Sequence, residues 1–106
     1  MSRKRKDDKG IVHEATVDWL VNRLLASGKF DKVSKDIPYN VHGINGQIDV
    51  LGVIGKNLYF YEVKSSYSDK NVRKATHQYQ RYKGCHRNQT LEGYIVTPNR
   101  IERLRL

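Results

Sequence analysis

Two short runs rich in β-branched and aromatic residues, separated by a turn too tight to hold any other element, constrain this chain most. Residues 47–53 read Gln-Ile-Asp-Val-Leu-Gly-Val and residues 57–64 read Asn-Leu-Tyr-Phe-Tyr-Glu-Val-Lys, joined at Ile54-Gly55-Lys56. That pattern predicts an antiparallel hairpin. A two-residue loop at Gly55-Lys56 and a four-residue loop at 54–57 give the same register, which sets Asp49 directly opposite Glu62. Side chains alternate along a strand. Asp49 therefore shares a face with Leu51 and Val53, and Glu62 with Leu58 and Phe60, while Ile48, Val50, Tyr59, Tyr61 and Val63 take the other. Both faces are apolar enough to be covered. Like charges opposed across a strand pair are destabilising. Three arrangements offset that: a divalent cation held by the carboxylates with water and phosphate oxygens, a proton shared by the pair, or one acid turned to solvent at the sheet end. Lys64 lies two residues after Glu62 and projects from the same face. It is either an ion-pair partner or a cation that binds a scissile phosphate or orients an attacking water.

The rest of the chain supplies what such a hairpin can pack against. At 106 residues there is room for one domain with one modest core. Residues 11–27 read as a helix, with Val17, Leu20, Val21 and Leu24 at helical spacing and Gly28 as its stop. Pro38 and Gly43 break up an extended segment around 32–42. Residues 69–83 read as a second helix, capped by Ser68 and stopped by Gly84. A strand at 94–97, a turn at Pro98-Asn99 and a possible last strand at 101–106 follow. The expected class is α/β, with helices packed on a small mixed sheet. Residues 1–10 are expected as a flexible basic arm and 11–106 as a single domain.

Glu14, Val17, Val21 and Leu25 fall in one helical row. Glu14 thus stands at the edge of the buried stripe, either within reach of a metal site or as a solvated first-turn glutamate. His13 is nearer the middle of the stripe, the place of a packed or hydrogen-bonded histidine.

Charge points to the partner. Twenty Lys and Arg against eleven Asp and Glu leave a formal net charge of +9, an excess that suits a polyanion. Arg3 and Arg5 in the arm are candidate phosphate contacts, or parts of a tail without a role. In the second helix Val72, Ala75, Tyr79 and Tyr82 form an apolar face, with Lys70, Arg73, Lys74, His77 and Arg81 opposite and Gln78 on the border. A solvated face normally mixes signs. Its shortage of acids favours phosphate contact. A single cysteine excludes an internal disulfide, and His77, Cys85 and His86 fit no zinc spacing. No apolar stretch follows the basic N-terminus, so neither a signal peptide nor a membrane span is expected. The cytoplasm of a prokaryotic or virus-infected cell is the expected location.

Taken in order, these residues resemble the PD-(D/E)XK nuclease superfamily. The core match is Gly46-Gln47-Ile48-Asp49-Val50 followed by Tyr61-Glu62-Val63-Lys64-Ser65-Ser66. His13-Glu14-Ala15 and the Glu-Val-Lys-Ser strand are similar to archaeal Holliday junction resolvases, and Gln78-Tyr79-Gln80-Arg81-Tyr82 resembles the Gln-x-x-x-Tyr motif of RecB-like members. The resemblance spans roughly residues 11–97. It implies a restriction-endonuclease-like αβββαβ core and metal-assisted phosphodiester hydrolysis. It also implies that Asp49, Glu62 and the Val63 carbonyl ligate Mg2+ or Mn2+, that Glu14 completes the metal site, that Lys64 positions the attacking water, and that Gln78 orients lysine, water or phosphate. The leading expectation is a DNA endonuclease on branched DNA. A flap, nicking or single-strand nuclease and a non-catalytic nucleic-acid-binding module are the alternatives. A resolvase cuts two strands symmetrically, which calls for a homodimer. Ile101, Leu104 and Leu106 either belong to that interface or complete the sheet.

Overall fold

The computed structural model describes the backbone of residues 2–86 and 88–105, with side chains from residue 10 onward. Two helices pack on a five-stranded mixed sheet in the order α1 (Ser2–Ala26), β1 (Lys32–Val41), β2 (Ile44–Ile54), β3 (Asn57–Val63), α2 (Asp69–Gly84), β4 (Thr90–Thr97) and β5 (Arg100–Arg103). The element order αβββαβ expected from the sequence is present, with β5 added at the end. Strand order in space equals strand order in the chain. All neighbours are antiparallel except β3 and β4, which run parallel because α2 carries the chain back across the sheet.

Alternate residues of β3 assign the two faces. Leu58 and Phe60 pack with Ala75, Tyr79 and Tyr82 of α2. Tyr61 and Val63 pack with Val17, Leu20 and Leu24 of α1. The sheet is therefore covered on both sides, one helix per face, and its centre holds Phe60, Ile48, Val50, Ile95 and Val96 almost free of solvent. The ring of Tyr79 lies on the bare backbone of Gly93, where a Cβ would stand 2.6 Å from the ring, and its hydroxyl donates to the Leu91 carbonyl at 2.8 Å.

Several boundaries differ from expectation, each for a physical reason. The first helix starts at Ser2, so the backbone of the supposed flexible arm is helical. Lys and Arg are good helix formers, and no proline interrupts them. The helix ends before Gly28, whose φ of 70° closes it. Pro38 sits within β1 rather than ending it, because β1 is an edge strand and one of its sides has no partner. Ser68 caps α2 by accepting the Asn71 backbone N–H at 3.2 Å, while Gly84 is the last helical residue and Cys85 the C-cap. Leu104 is buried in the core beneath α2, so it completes the sheet rather than offering an interface. Ile101 remains exposed, and Leu106 lies outside the described residues.

One irregularity matters for the site. Ile48 packs with Phe60 and Leu58, not with Val50 and Tyr61 as strict alternation requires. The two-residue period breaks at Asp49. Across from it on β1 stands Asp36, whose φ is 54°, between the paired positions Lys35↔Val50 and Ile37↔Ile48. A residue forced into the left-handed region locally reverses the pleat, and the sheet switches face there.

Candidate metal centre

The β2–β3 register pairs Ile54 with Asn57 and runs to Val50 opposite Tyr61. One step further, Asp49 and Glu62 come together where the backbone ladder between the strands ends. The Val63 N–H donates to Asp49 Oδ2 at 2.8 Å, so a carboxylate takes the place of the next ladder acceptor. That bond fixes the Asp49 side chain beside Glu62. Lys64 extends the β3–β4 ladder by donating its N–H to the Val96 carbonyl at 2.8 Å, and its Nζ lies 3.5 Å from Glu62 Oε2. These residues line an open cavity of about 400 Å³ together with His13, Gln47, Val63, Ser65 and Gln78.

Both acids are buried, Glu62 to the point of 4 % exposure. Among the described residues its Oε1 has no hydrogen-bond partner, and neither has Oε1 of Gln78, which lines the same cavity. Burial above all, and then the negative charge of Asp49, push the Glu62 carboxyl up to about 8, with Lys64 pulling the other way. The Asp49 and Glu62 carboxyls with Gln78 Oε1 are oxygens that could take a hard divalent cation, while no group of three or more His, Cys, Asp or Glu side chains that could hold a metal gathers among the described residues. Asp49 and Glu62 would hold the cation, with Gln78 lining the same cavity.

Of the residues expected to act, Asp49, Glu62, Val63, Lys64 and Gln78 are brought together. Glu14 is not: it is exposed and does not line the cavity. His13 stands there instead, its Nε2 3.4 Å from Asp49 Oδ2. The buried stripe of α1 runs through Thr16, Val17, Leu20 and Leu24, while Leu25 is 55 % exposed, so the helix is rotated about one residue from the row that Glu14 would need. Position within the stripe was the available signal for His13. Ser65 and Gln47 also line the cavity without having been singled out; Ser65 follows Lys64, and Gln47 is two residues from Asp49.

On α2, Lys70, Arg73, Lys74 and His77 are exposed and Arg81 is half-buried, opposite Ala75, Tyr79 and Tyr82. Lys74 lies one turn before Gln78 and Arg81 one turn after, on the same side of the helix. Lys74 and Arg81 are thus neighbours of Gln78 on the helix surface, although neither lines the cavity. The side chains of Arg3 and Arg5 lie outside the described residues. Among the described residues no helix is long and apolar enough to cross a membrane.

No family model and no curated protein matches this sequence. Among solved structures of archaeal proteins, one is similar in fold and a second aligns more weakly. A protein of unknown function, AF1548, aligns with a TM-score of 0.53 at 19 % identity over 74 % of this chain and 43 % of its own. SSO0001 aligns with a TM-score of 0.44 at 25 % identity over 81 % of this chain and 47 % of its own. The chain thus spans under half the length of each. The likeness to AF1548 is one of fold alone.

Proposed function

We propose that the protein is a metal-dependent DNA endonuclease of the PD-(D/E)XK kind, acting on branched DNA. The observation that carries this is the buried Asp49–Glu62 pair with Lys64 beside it, on residues that line one open cavity. Burial and the neighbouring acid raise the Glu62 carboxyl strongly, and carboxyls so perturbed within a cavity cluster at functional sites.

Mg2+ or Mn2+, when bound, polarises the phosphodiester and makes hydroxide available near neutral pH. The chain's own residues do the rest. Asp49, locked by the Val63 N–H, presents its carboxylate in one orientation. Lys64 places a positive charge beside Glu62, at the cavity wall where a phosphate oxygen or an attacking water would sit. Gln78 offers a buried acceptor to orient that water. His13 stands against Asp49 Oδ2 from the α1 side. Lys70, Arg73, Lys74, His77 and Arg81 supply sequence-independent phosphate contacts, each Lys or Arg contributing roughly −0.9 to the slope of log affinity against log salt. A basic, non-catalytic binding module would need those cations but not the triad in the cavity. Such an enzyme works in the cytoplasm of a prokaryotic or virus-infected cell.

The test is a cleavage panel on four-way, flap, single-stranded and blunt linear DNA with Mg2+ or EDTA. Cleavage of branched forms that needs Mg2+ is the expected result; no cleavage of any substrate with Mg2+ or with Mn2+ in its place would leave only the binding module. A junction resolvase requires two copies, so light scattering on four-way DNA is expected to show a dimer.

A further inference from the structure

Two exposed aromatic side chains lie outside the cavity, and each carries an arginine on its ring. Tyr67 is 45 % exposed, and the Arg100 guanidinium carbon stands 4.4 Å from its centroid. Trp19 is 46 % exposed, with the Arg23 guanidinium carbon 5.4 Å from its centroid. Among the described residues, neither arginine has an ion-pair partner.

Chain neighbours link the two stacks to the cavity. Ser65 lines the cavity, and Tyr67 is two residues further along the same loop. Arg100, over Tyr67, opens β5 directly after the β4–β5 turn at 98–99. Pro98 of that turn walls an apolar groove of about 310 Å³ with Val12, Ala15, Thr16 and Trp19. Both supports are braced. Asn71 donates its side-chain amide to the Ser66 carbonyl at 2.9 Å, and Thr97 Oγ1 accepts the Arg100 and Asn99 N–H groups at 3.2 and 3.4 Å. Tyr67 is thus held out toward solvent on a braced loop, and Trp19 on helix α1.

Exposed, pre-positioned rings paired with unneutralised arginines take base faces by stacking and phosphates by charge. In a paired duplex the base faces are already stacked on one another. Only an unpaired strand presents them. We propose that the Tyr67–Arg100 and Trp19–Arg23 stacks hold an unpaired DNA strand where it leaves the cavity, so that the substrate class is a duplex carrying a single-stranded flap or tail. The assignment rests on the nuclease reading above and narrows it.

The experiment measures binding in EDTA, without cleavage. The probes are a blunt hairpin duplex and the same duplex with a tail containing 2-aminopurine. Wild-type protein is expected to bind the tailed form on the order of tenfold more tightly and to alter the 2-aminopurine fluorescence by stacking. Tyr67→Ala and Trp19→Ala each lose most of that preference while binding the blunt duplex as before, and Tyr67→Phe retains it. Equal affinity for the two probes, or a tail preference unchanged in Tyr67→Ala, would overturn the proposal. The two readings fail separately. Mg2+-dependent cleavage without tail preference removes only the strand path, whereas tail preference without any cleavage removes only the nuclease.

Discussion

Asp49→Asn is expected to lower Mg2+-dependent DNA cleavage by about 10³-fold while leaving the fold and DNA affinity intact. The Val63 N–H can still donate to the asparagine carbonyl oxygen at the position now 2.8 Å away, so the β2–β3 junction keeps its geometry. What disappears is one full negative charge facing Glu62. A cation site that loses a carboxylate forfeits several kcal/mol of transition-state charge stabilisation, and about 4 kcal/mol corresponds to that thousandfold. DNA is a polyanion, so removing an acid does not weaken its binding through charge. Single-turnover cleavage rates, with anisotropy measured in EDTA as the affinity control, check this. Cleavage within tenfold of wild type would place the chemistry elsewhere.

Glu62→Gln should move activity and stability in opposite directions. Cleavage falls as for Asp49→Asn, but the protein without metal becomes more stable at high pH. The sign follows from the raised carboxyl, near 8 in the folded chain against an ordinary value of 4.5. Between those values the folded state holds a proton that the unfolded state has released, so the contribution of Glu62 to stability falls as pH rises through this window. Below it the group is neutral in both states. Above it the folded protein carries a buried carboxylate beside Asp49. A neutral amide of the same shape escapes that cost, by about 2 kcal/mol, or roughly 10 °C in Tm for a domain of this size. Melts at pH 4 and pH 9 should therefore show little difference at the lower pH and a more stable variant at the higher. Saturating Mg2+ should raise the Tm of wild type and leave the variant unchanged. A variant less stable at both pH values would mean that Glu62 is an ordinary structural acid.

How much of this was legible beforehand depends on what fixes each feature. The hairpin and the meeting of Asp49 with Glu62 follow from turn length and residue alternation, and two loop lengths give one register. The apolar and basic faces of α2 were equally readable, because its aromatic and charged residues separate cleanly at 100° per residue. The rotation of α1 was not. Val17, Leu20, Val21, Leu24 and Leu25 cover so wide an arc that spacing does not say where its centre lies, and a shift of one position exchanges Glu14 for His13. Ile48 was assigned to the wrong face because alternation assumes an unbroken strand. The break at Asp49 is tied to Asp36 on β1, whose φ of 54° no apolar pattern announces. Tyr67 and Trp19 illustrate a third limit. An aromatic residue in a sequence reads as core, and only the packed fold shows that these two were left outside.

The claim at the centre is that Asp49 and Glu62 share a divalent cation. Mn2+ binding followed by electron paramagnetic resonance tests it most directly, in wild type and Asp49→Asn at pH 8 with equal protein concentrations. The expected result is one bound ion per chain in wild type, displaced by excess Mg2+, and no such binding in the variant. Mn2+ binding that is identical in the two proteins, or absent from wild type even with DNA present, would contradict it.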